Sequence, residues 1–113
     1  MISRSVWAIL AVLFFFGFSL AAIAGAGWTD FAPVAELRPT SQVRYVVRLK
    51  VSENPSGCRT EEFFFQDYTA SGSRQMFRAL LSAVEHRKDV RVYVTGRCNL
   101  DGYSEISAVS IVP

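Results

Sequence analysis

The residues equipped for chemistry in this chain are two cysteines, Cys58 and Cys98, one histidine, His86, and carboxylates at Glu61, Glu62, Asp67, Asp101 and Glu105. A Ser-His-Asp triad needs an imidazole oriented by a carboxylate beside an activated serine. His86 stands instead in the run His86-Arg87-Lys88, where cations complement the carbonyl end of a helix. The spacing of the carboxylates selects no pair for acid–base work, and no glycine-rich phosphate loop is present. Two cysteines and one histidine without C-x-x-C spacing do not make a metal site. The expectation is a non-catalytic protein with no metal and no cofactor.

The two cysteines suit a structural bridge better than a nucleophile. Each follows loop residues, Asn54-Pro55-Ser56-Gly57 before Cys58 and Gly96-Arg97 before Cys98. An even count beside an export signal predicts one intrachain bond. It would close a loop of about 40 residues, worth roughly 4 kcal/mol in the chain-entropy model. The alternatives are two unpaired thiols or an intermolecular bridge.

What remains for function is recognition by aromatic side chains. Tyr45, Phe64, Tyr68 and Tyr103 are the candidates, because aromatic faces stack on apolar surfaces and tyrosine hydroxyls add directional bonds. Tyr45 falls on the apolar face of a strand and reads as core. Phe64, Tyr68 and Tyr103 therefore form the predicted binding set.

The N-terminus sets the compartment. Arg4 is followed by an apolar run, Val6 to Phe18, and then by small residues, Ala21-Ala22-Ile23-Ala24-Gly25-Ala26-Gly27. A basic start, an apolar stretch and an A-x-A site make residues 1–24 a secretory signal peptide, cleaved after Ala24 or after Ala26. The rival is an uncleaved anchor, since Val6 to Trp28 supplies the roughly 20 apolar residues that a spanning helix needs. No basic cluster follows Trp28 to stop transfer, which favours cleavage and no stable membrane insertion thereafter. Removing Arg4 leaves 11 basic against 10 acidic residues. A balance so close to neutral lacks the basic stripe of a nucleic-acid protein. Residues 25–113 then form one small domain, short enough that a disulfide is a useful supplement to its core.

The elements that hold these residues can be read in order. Val34-Ala35-Glu36-Leu37, after Pro33, is a short strand, and Pro39-Thr40-Ser41 a turn. From Gln42 to Val51, Val43, Tyr45, Val47, Leu49 and Val51 alternate with a mostly basic set including Arg44, Arg48 and Lys50. Side chains alternate faces along a strand, so one face is buried and the other wet. The basic face is expected to be solvated rather than a ligand contact. Glu61 to Tyr68 is the next strand. There Phe63 and Phe65 share one face, and Phe64 points outward with Glu62 and Gln66.

Ser73 is a good N-cap residue for the helix that follows to about Arg87. Met76, Phe77, Leu80, Leu81 and Val84 form one apolar stripe at helical period. Val90, Val92 and Val94 mark another strand, Asp101-Gly102 a hairpin-type turn, and Ile106, Val109 and Ile111 the last strand. The spacing of three and then two in that strand predicts a bulge.

Strand, strand, strand, helix, strand, strand is the order of the OB fold. The fold class expected is mostly β with one helix (α+β), an OB-like five-stranded antiparallel barrel with the helix between the third and fourth strands. An α+β sandwich of the same elements is the rival. The layout of a tryptophan near the start of the domain, Asn54-Pro55-Ser56-Gly57-Cys58, Phe77-Arg78-Ala79-Leu80-Leu81-Ser82-Ala83, Val90-Arg91-Val92-Tyr93-Val94, Gly96-Arg97-Cys98 and Gly102-Tyr103-Ser104-Glu105-Ile106 resembles small exported single-disulfide bacterial proteins. More distantly, in element order and the helix–strand segment, it resembles the OB-fold B subunits of pertussis-like and subtilase-type toxins. That resemblance implies pentamers that bind host glycans, with the helix along a central pore and Arg74, Arg78 and Glu85 facing it. No glycan-contact motif of those subunits maps onto residues of this chain.

The function expected is a non-catalytic exported binding module, periplasmic or extracellular, with a glycan or protein as partner and no nucleic acid. The alternatives are an oligomerising subunit of a toxin-like or envelope assembly, or a membrane-anchored periplasmic domain.

Overall fold

A computed structural model describes residues 25–113 of the chain. Both readings of the N-terminal segment, signal peptide and anchor, fall on residues 1–24 and lie outside the described residues. The elements are β1 (Gly27–Trp28), β2 (Val34–Arg38), β3 (Arg44–Leu49), β4 (Phe63–Asp67), α1 (Ser73–His86), β5 (Val90–Cys98) and β6 (Ser104–Ile111). Among the described residues the class is mostly β with one helix, and the helix falls between β4 and β5 as its stripe predicts. The strands form one six-stranded sheet in the order β1-β5-β6-β4-β3-β2, not the closed five-stranded antiparallel barrel expected. The sheet is mixed, because β4 and β6 run parallel while the other neighbours are antiparallel.

The extra strand arises from residues 27–38, which lie on both edges of the sheet. Gly27 and Trp28 pair with Val94 and Tyr93 of β5. Thr29 and Ala32 stay hydrogen-bonded to Val92 and Val90 of the same strand. At Pro33 the chain crosses over: its carbonyl accepts from Lys50 N at 3.2 Å, and Val34 pairs with Leu49 of β3. Asp30 anchors this crossover. Its carboxylate accepts from Ser52 N at 3.1 Å and Glu53 N at 2.9 Å.

Desolvation pushes the Asp30 carboxyl upward, but the backbone N–H groups of Glu53 and Ser52 outweigh it, and the net direction is below the usual carboxylate value. A carboxyl with a depressed folded pKa stabilises above its unfolded value, near 3.9, and loses that stability as pH falls through the folded value. Asp30→Asn is therefore expected to cost about 1 kcal/mol at pH 7. The gap between wild type and variant narrows as pH falls below about 4 toward the depressed folded value, and closes once the carboxylate is protonated in both states. Thermal unfolding of both proteins at pH 7 and pH 3 checks this; an equal gap at the two values would overturn it.

The core follows the alternation of β3. Tyr45, Val47, Leu49 and Val51 are all buried, with Val90, Val92, Val94 and Ile106 from the other strands and Leu80 and Ala83 from α1. Val43 belongs to the same parity but precedes the strand and is exposed. The bulge expected in the last strand is present. Val92 pairs with Val109 and Tyr93 with Ala108, then Val94 pairs with Ile106, leaving Ser107 as the extra residue.

Two local expectations are corrected. The helix is capped by Gly72 in the left-handed region (φ 78), with no side-chain bond from Ser73. Ser73 is instead the first helical residue, buried, with its N–H donated to Ala70 O at 3.1 Å. The apolar stripe of the helix is also only half used. Leu80 is buried, whereas Leu81 and Val84 are 40% and 43% exposed.

Candidate functional site

The three predicted binding residues are not brought together. Phe64 is fully buried. It pairs with Val47 on one side and Ser104 on the other, so it lies on the core face of the sheet. The parity of β4 is the reverse of that expected: Phe64 and Gln66 face the core, and Phe63 and Phe65 face out. Phe64 is thereby removed as a contact residue.

Gln66 explains the reversal. It is buried, yet its polar atoms have partners. Tyr45 Oη donates to Gln66 Oε1 at 2.7 Å, and Gln66 Nε2 donates to Ile106 O at 3.3 Å. A buried amide is tolerated when its bonds are made. Burial also raises the Tyr45 hydroxyl well above the usual phenol range, so it stays a neutral donor.

Tyr68 is 42% exposed, but its hydroxyl is engaged. It donates to Thr40 O at 2.7 Å and accepts from Thr40 N at 2.8 Å, tying the 39–43 turn to the end of β4. Its ring borders a small cleft with Pro39, Ser73, Arg74 and Phe77. Tyr103 lies on the opposite face, where its ring stacks on Phe63 at 5.0 Å between centroids.

That opposite face is built from β3, β4 and the turn between β5 and β6. Arg44 lies over Phe65 and reaches Asp67 at 3.4 Å; Arg48 lies over Phe63 and reaches Glu62 at 3.0 Å. Arg97 meets Glu105 at 3.4 Å, and Glu105 also accepts from Thr95 Oγ1. A cleft of about 500 Å³ runs between Arg44, Phe65 and Asp67 and the turn residues Arg97 to Asp101. Exposed ion pairs of this kind contribute 0–1 kcal/mol each. They nevertheless pair both arginines of β3, Arg44 and Arg48, and cover the rings beneath. Both are thus paired within the chain, although Asp67 Oδ1 is buried without a hydrogen-bond partner among the described residues.

A different cluster is not self-satisfied. Arg91, on the outward face of β5, is held between two aromatic rings. Its guanidinium carbon is 4.5 Å from the Trp28 ring centroid and 5.0 Å from that of Phe31. Tyr93 packs edge-on against Trp28 at 5.5 Å. Trp28 and Phe31 are 41% and 42% exposed. Four ion pairs are formed among the described residues, and none includes Arg91. Its Nε is buried without a hydrogen-bond partner among those residues.

The β1–β5 pairing assembles this cluster by setting Trp28 opposite Tyr93, while the Ala32–Val90 bridge brings Phe31 alongside. Stacking on an arginine occupies the faces of the guanidinium; with Nε buried, its two Nη groups are the edge left to meet a carboxylate or phosphate bidentately. Sequence reading missed Arg91 and Phe31. The only signal was the outward parity of Arg91 between Val90 and Val92.

Among the described residues, no group of three or more His, Cys, Asp or Glu side chains is placed to hold a metal ion. The one histidine is exposed, its Nδ1 2.9 Å from Ser82 O. The cysteines are joined, Cys58 to Cys98, with Cα atoms 5.7 Å apart. A disulfide of this kind is at home outside the cytoplasm. No helix among the described residues is long and apolar enough to cross a membrane. Comparison with known proteins finds no matching family model, no similar curated protein and no similar solved structure.

Proposed function

We propose that this chain is a non-catalytic exported binding module that recognises an acidic glycan at the Trp28–Arg91–Phe31 cluster. The observation that carries the reading is the unpaired guanidinium fixed between two half-exposed rings. Arginine ordinarily loses about 2 kcal/mol of rotamer freedom when immobilised. Here the rings have already restricted it, so a carboxylate gains a charge-assisted pair at reduced entropic cost. The exposed ring of Trp28 offers a stacking platform for the sugar bearing that carboxylate.

Export in this reading rests on residues 1–24 acting as the signal peptide, and the Cys58–Cys98 bond supports it. The architecture is proposed to be OB-like. Ala32 pairs with Val90 and Val34 with Leu49, so two residues of chain span from β5 to β3. That segment reaches at most about 7 Å. So short a crossover supports a sheet curled toward the OB arrangement, with residues 27–38 as one bent strand running along both of its edges. The parallel β4–β6 pair fits the same topology.

The reading is tested by binding the full-length oxidised protein to arrayed glycans with and without carboxylates. Carboxylate-bearing glycans are expected to bind. Arg91→Gln is expected to weaken them by about tenfold or more, as loss of a charged hydrogen bond does. Trp28→Ala is expected to weaken neutral and acidic sugars alike. No binding by the wild type, or equal binding by Arg91→Gln, would sink the assignment.

A further inference from the structure

We propose that two copies of this chain pair through their β2 edges about a two-fold axis at Leu37. This inference stands independently of any ligand, since β2 and the Arg91 cluster share no residue. Among the described residues β2 is the last strand of the sheet, and along Val34–Arg38 none of them forms a strand on its other side.

The free backbone groups of that edge can be identified. Leu49 donates its N–H to Glu62 O, so its main chain faces β4; Lys50 donates to Pro33 O, so its main chain faces the other way. Strand geometry alternates, which turns the main chain of Arg48 toward β2 as well. Arg48 is opposite Glu36, and Val46 is opposite Arg38. Glu36 and Arg38 therefore spend their N–H and C=O on β3, and those of Leu37 point outward. Pro33 and Pro39 bracket the strand, and its register shifts between Val34 and Glu36. Prolines and a bulge shorten an edge and prevent open-ended pairing. What they leave is one window centred on Leu37.

An antiparallel partner that exchanges both Leu37 hydrogen bonds places Leu37 opposite Leu37. It also places Glu36 of each copy opposite Arg38 of the other. These two residues share the outward face, are 3.0 Å apart within one chain, and have side chains 44% and 46% exposed. The pairing extends that ion pair into a four-charge network. Centring on Glu36 or on Arg38 would set like charges face to face, which is destabilising. Hydrogen-bond direction and charge thus select the same register.

The opposite face supports the same partner. There Val34 and Leu37 border a cleft of about 470 Å³ completed by Phe77, Leu81 and Val84, the unused half of the helix stripe. A two-fold axis at Leu37 abuts the cleft of one copy against that of the other and withdraws apolar surface from water.

Charge reversal tests the proposal, using the oxidised full-length chain in mild detergent and sedimentation velocity to read its state. The wild type is expected to be dimeric. E36R and R38E alone each set like charges across the axis and are expected to dimerise about tenfold or more weakly. Mixed one to one, E36R and R38E are expected to associate, because each supplies the charges the other needs. The double variant E36R/R38E is expected to recover the homodimer. Both single variants alter only exposed side chains, and a circular dichroism spectrum matching wild type identifies them as folded. The intrachain pair alone cannot produce association on mixing. A monomeric wild type, equal association of all four proteins, or a mixture no more associated than its parts would each overturn the proposal. Equal association is also the result expected if residues before Gly25 alone hold the copies together.

Discussion

Phe64→Ala is expected to destabilise the domain by about 3–5 kcal/mol, the range for removing a fully buried aromatic ring. Phe64 is central to the sheet, opposite Val47 of β3 and Ser104 of β6, and its side chain is completely withdrawn from solvent. The ring sits in the cluster with Tyr45, Leu80, Val92 and Ile106, which come from three other strands and the helix. Strands in hydrogen-bonded register move together and cannot collapse singly into the space that truncation leaves, which puts the cost toward the upper end. Small domains are typically stable by 5–15 kcal/mol, so the variant retains only a small margin. Phe63→Ala is the control. Its ring lies on the outer face beneath Arg48 and against Tyr103, and its loss is expected to cost about 1 kcal/mol. Urea unfolding of both variants makes the comparison. A midpoint for Phe64→Ala equal to that of Phe63→Ala would restore the outward reading of Phe64. Affinity measured per folded molecule should be unchanged in Phe64→Ala, because the ring reaches no surface.

The contrast between these neighbouring residues locates the limit of local pattern. β3 was legible because Tyr45, Val47, Leu49 and Val51 alternate with charged or polar residues along most of its length, and all four are core. β4 offers Phe63-Phe64-Phe65, in which hydrophobicity carries no parity. The flanking residues then decide, and Gln66 misleads. An exposed glutamine and a buried one bonded to Tyr45 and Ile106 are identical in sequence, since the partners lie 21 and 40 positions away.

The same reason hides the Arg91 cluster. Trp28 and Arg91 meet only because β1, two residues long, pairs with β5. No periodicity can be read in two residues. The helix stripe was legible as a stripe, but its length did not reveal that the neighbouring edge leaves Leu81 and Val84 uncovered. Ser73 was chosen as cap by residue type, whereas Gly72 takes the position because its left-handed backbone suits it.

Replacing both cysteines by serine is expected to lower stability by about 4 kcal/mol, the loop-closure entropy for a separation of 40 residues. At about 4–8 °C per kcal/mol for a domain of this size, the melting temperature falls by roughly 15–30 °C. The effect is expected to lie in the unfolded chain more than in the local geometry. Around the bridge, Thr60 N donates to Gly102 O at 3.0 Å, Asn54 Nδ2 to Ser104 Oγ at 3.0 Å, and the Ser56 and Ser104 hydroxyls meet at 2.7 Å. Gly102 also leaves room for Arg59: a Cβ there would stand 2.7 Å from that of Arg59. These contacts hold the β3–β4 loop against the β5–β6 turn without the sulfurs, so the serine variant should keep the wild-type circular dichroism spectrum at low temperature. Loop closure also predicts a direction for the kinetics. A cross-link that restricts the unfolded chain speeds folding when its loop forms before the transition state, and slows unfolding when it forms after. β4, α1 and β5 all lie inside the Cys58–Cys98 loop, and β4 meets β5 only through β6, outside it. The loop therefore closes late, with the docking of β6. The larger change is expected in the unfolding rate, which rises when the bridge is absent. Chevron plots of the oxidised protein and the serine variant measure both arms. A change confined to the folding arm would place loop closure before the transition state and refute this ordering.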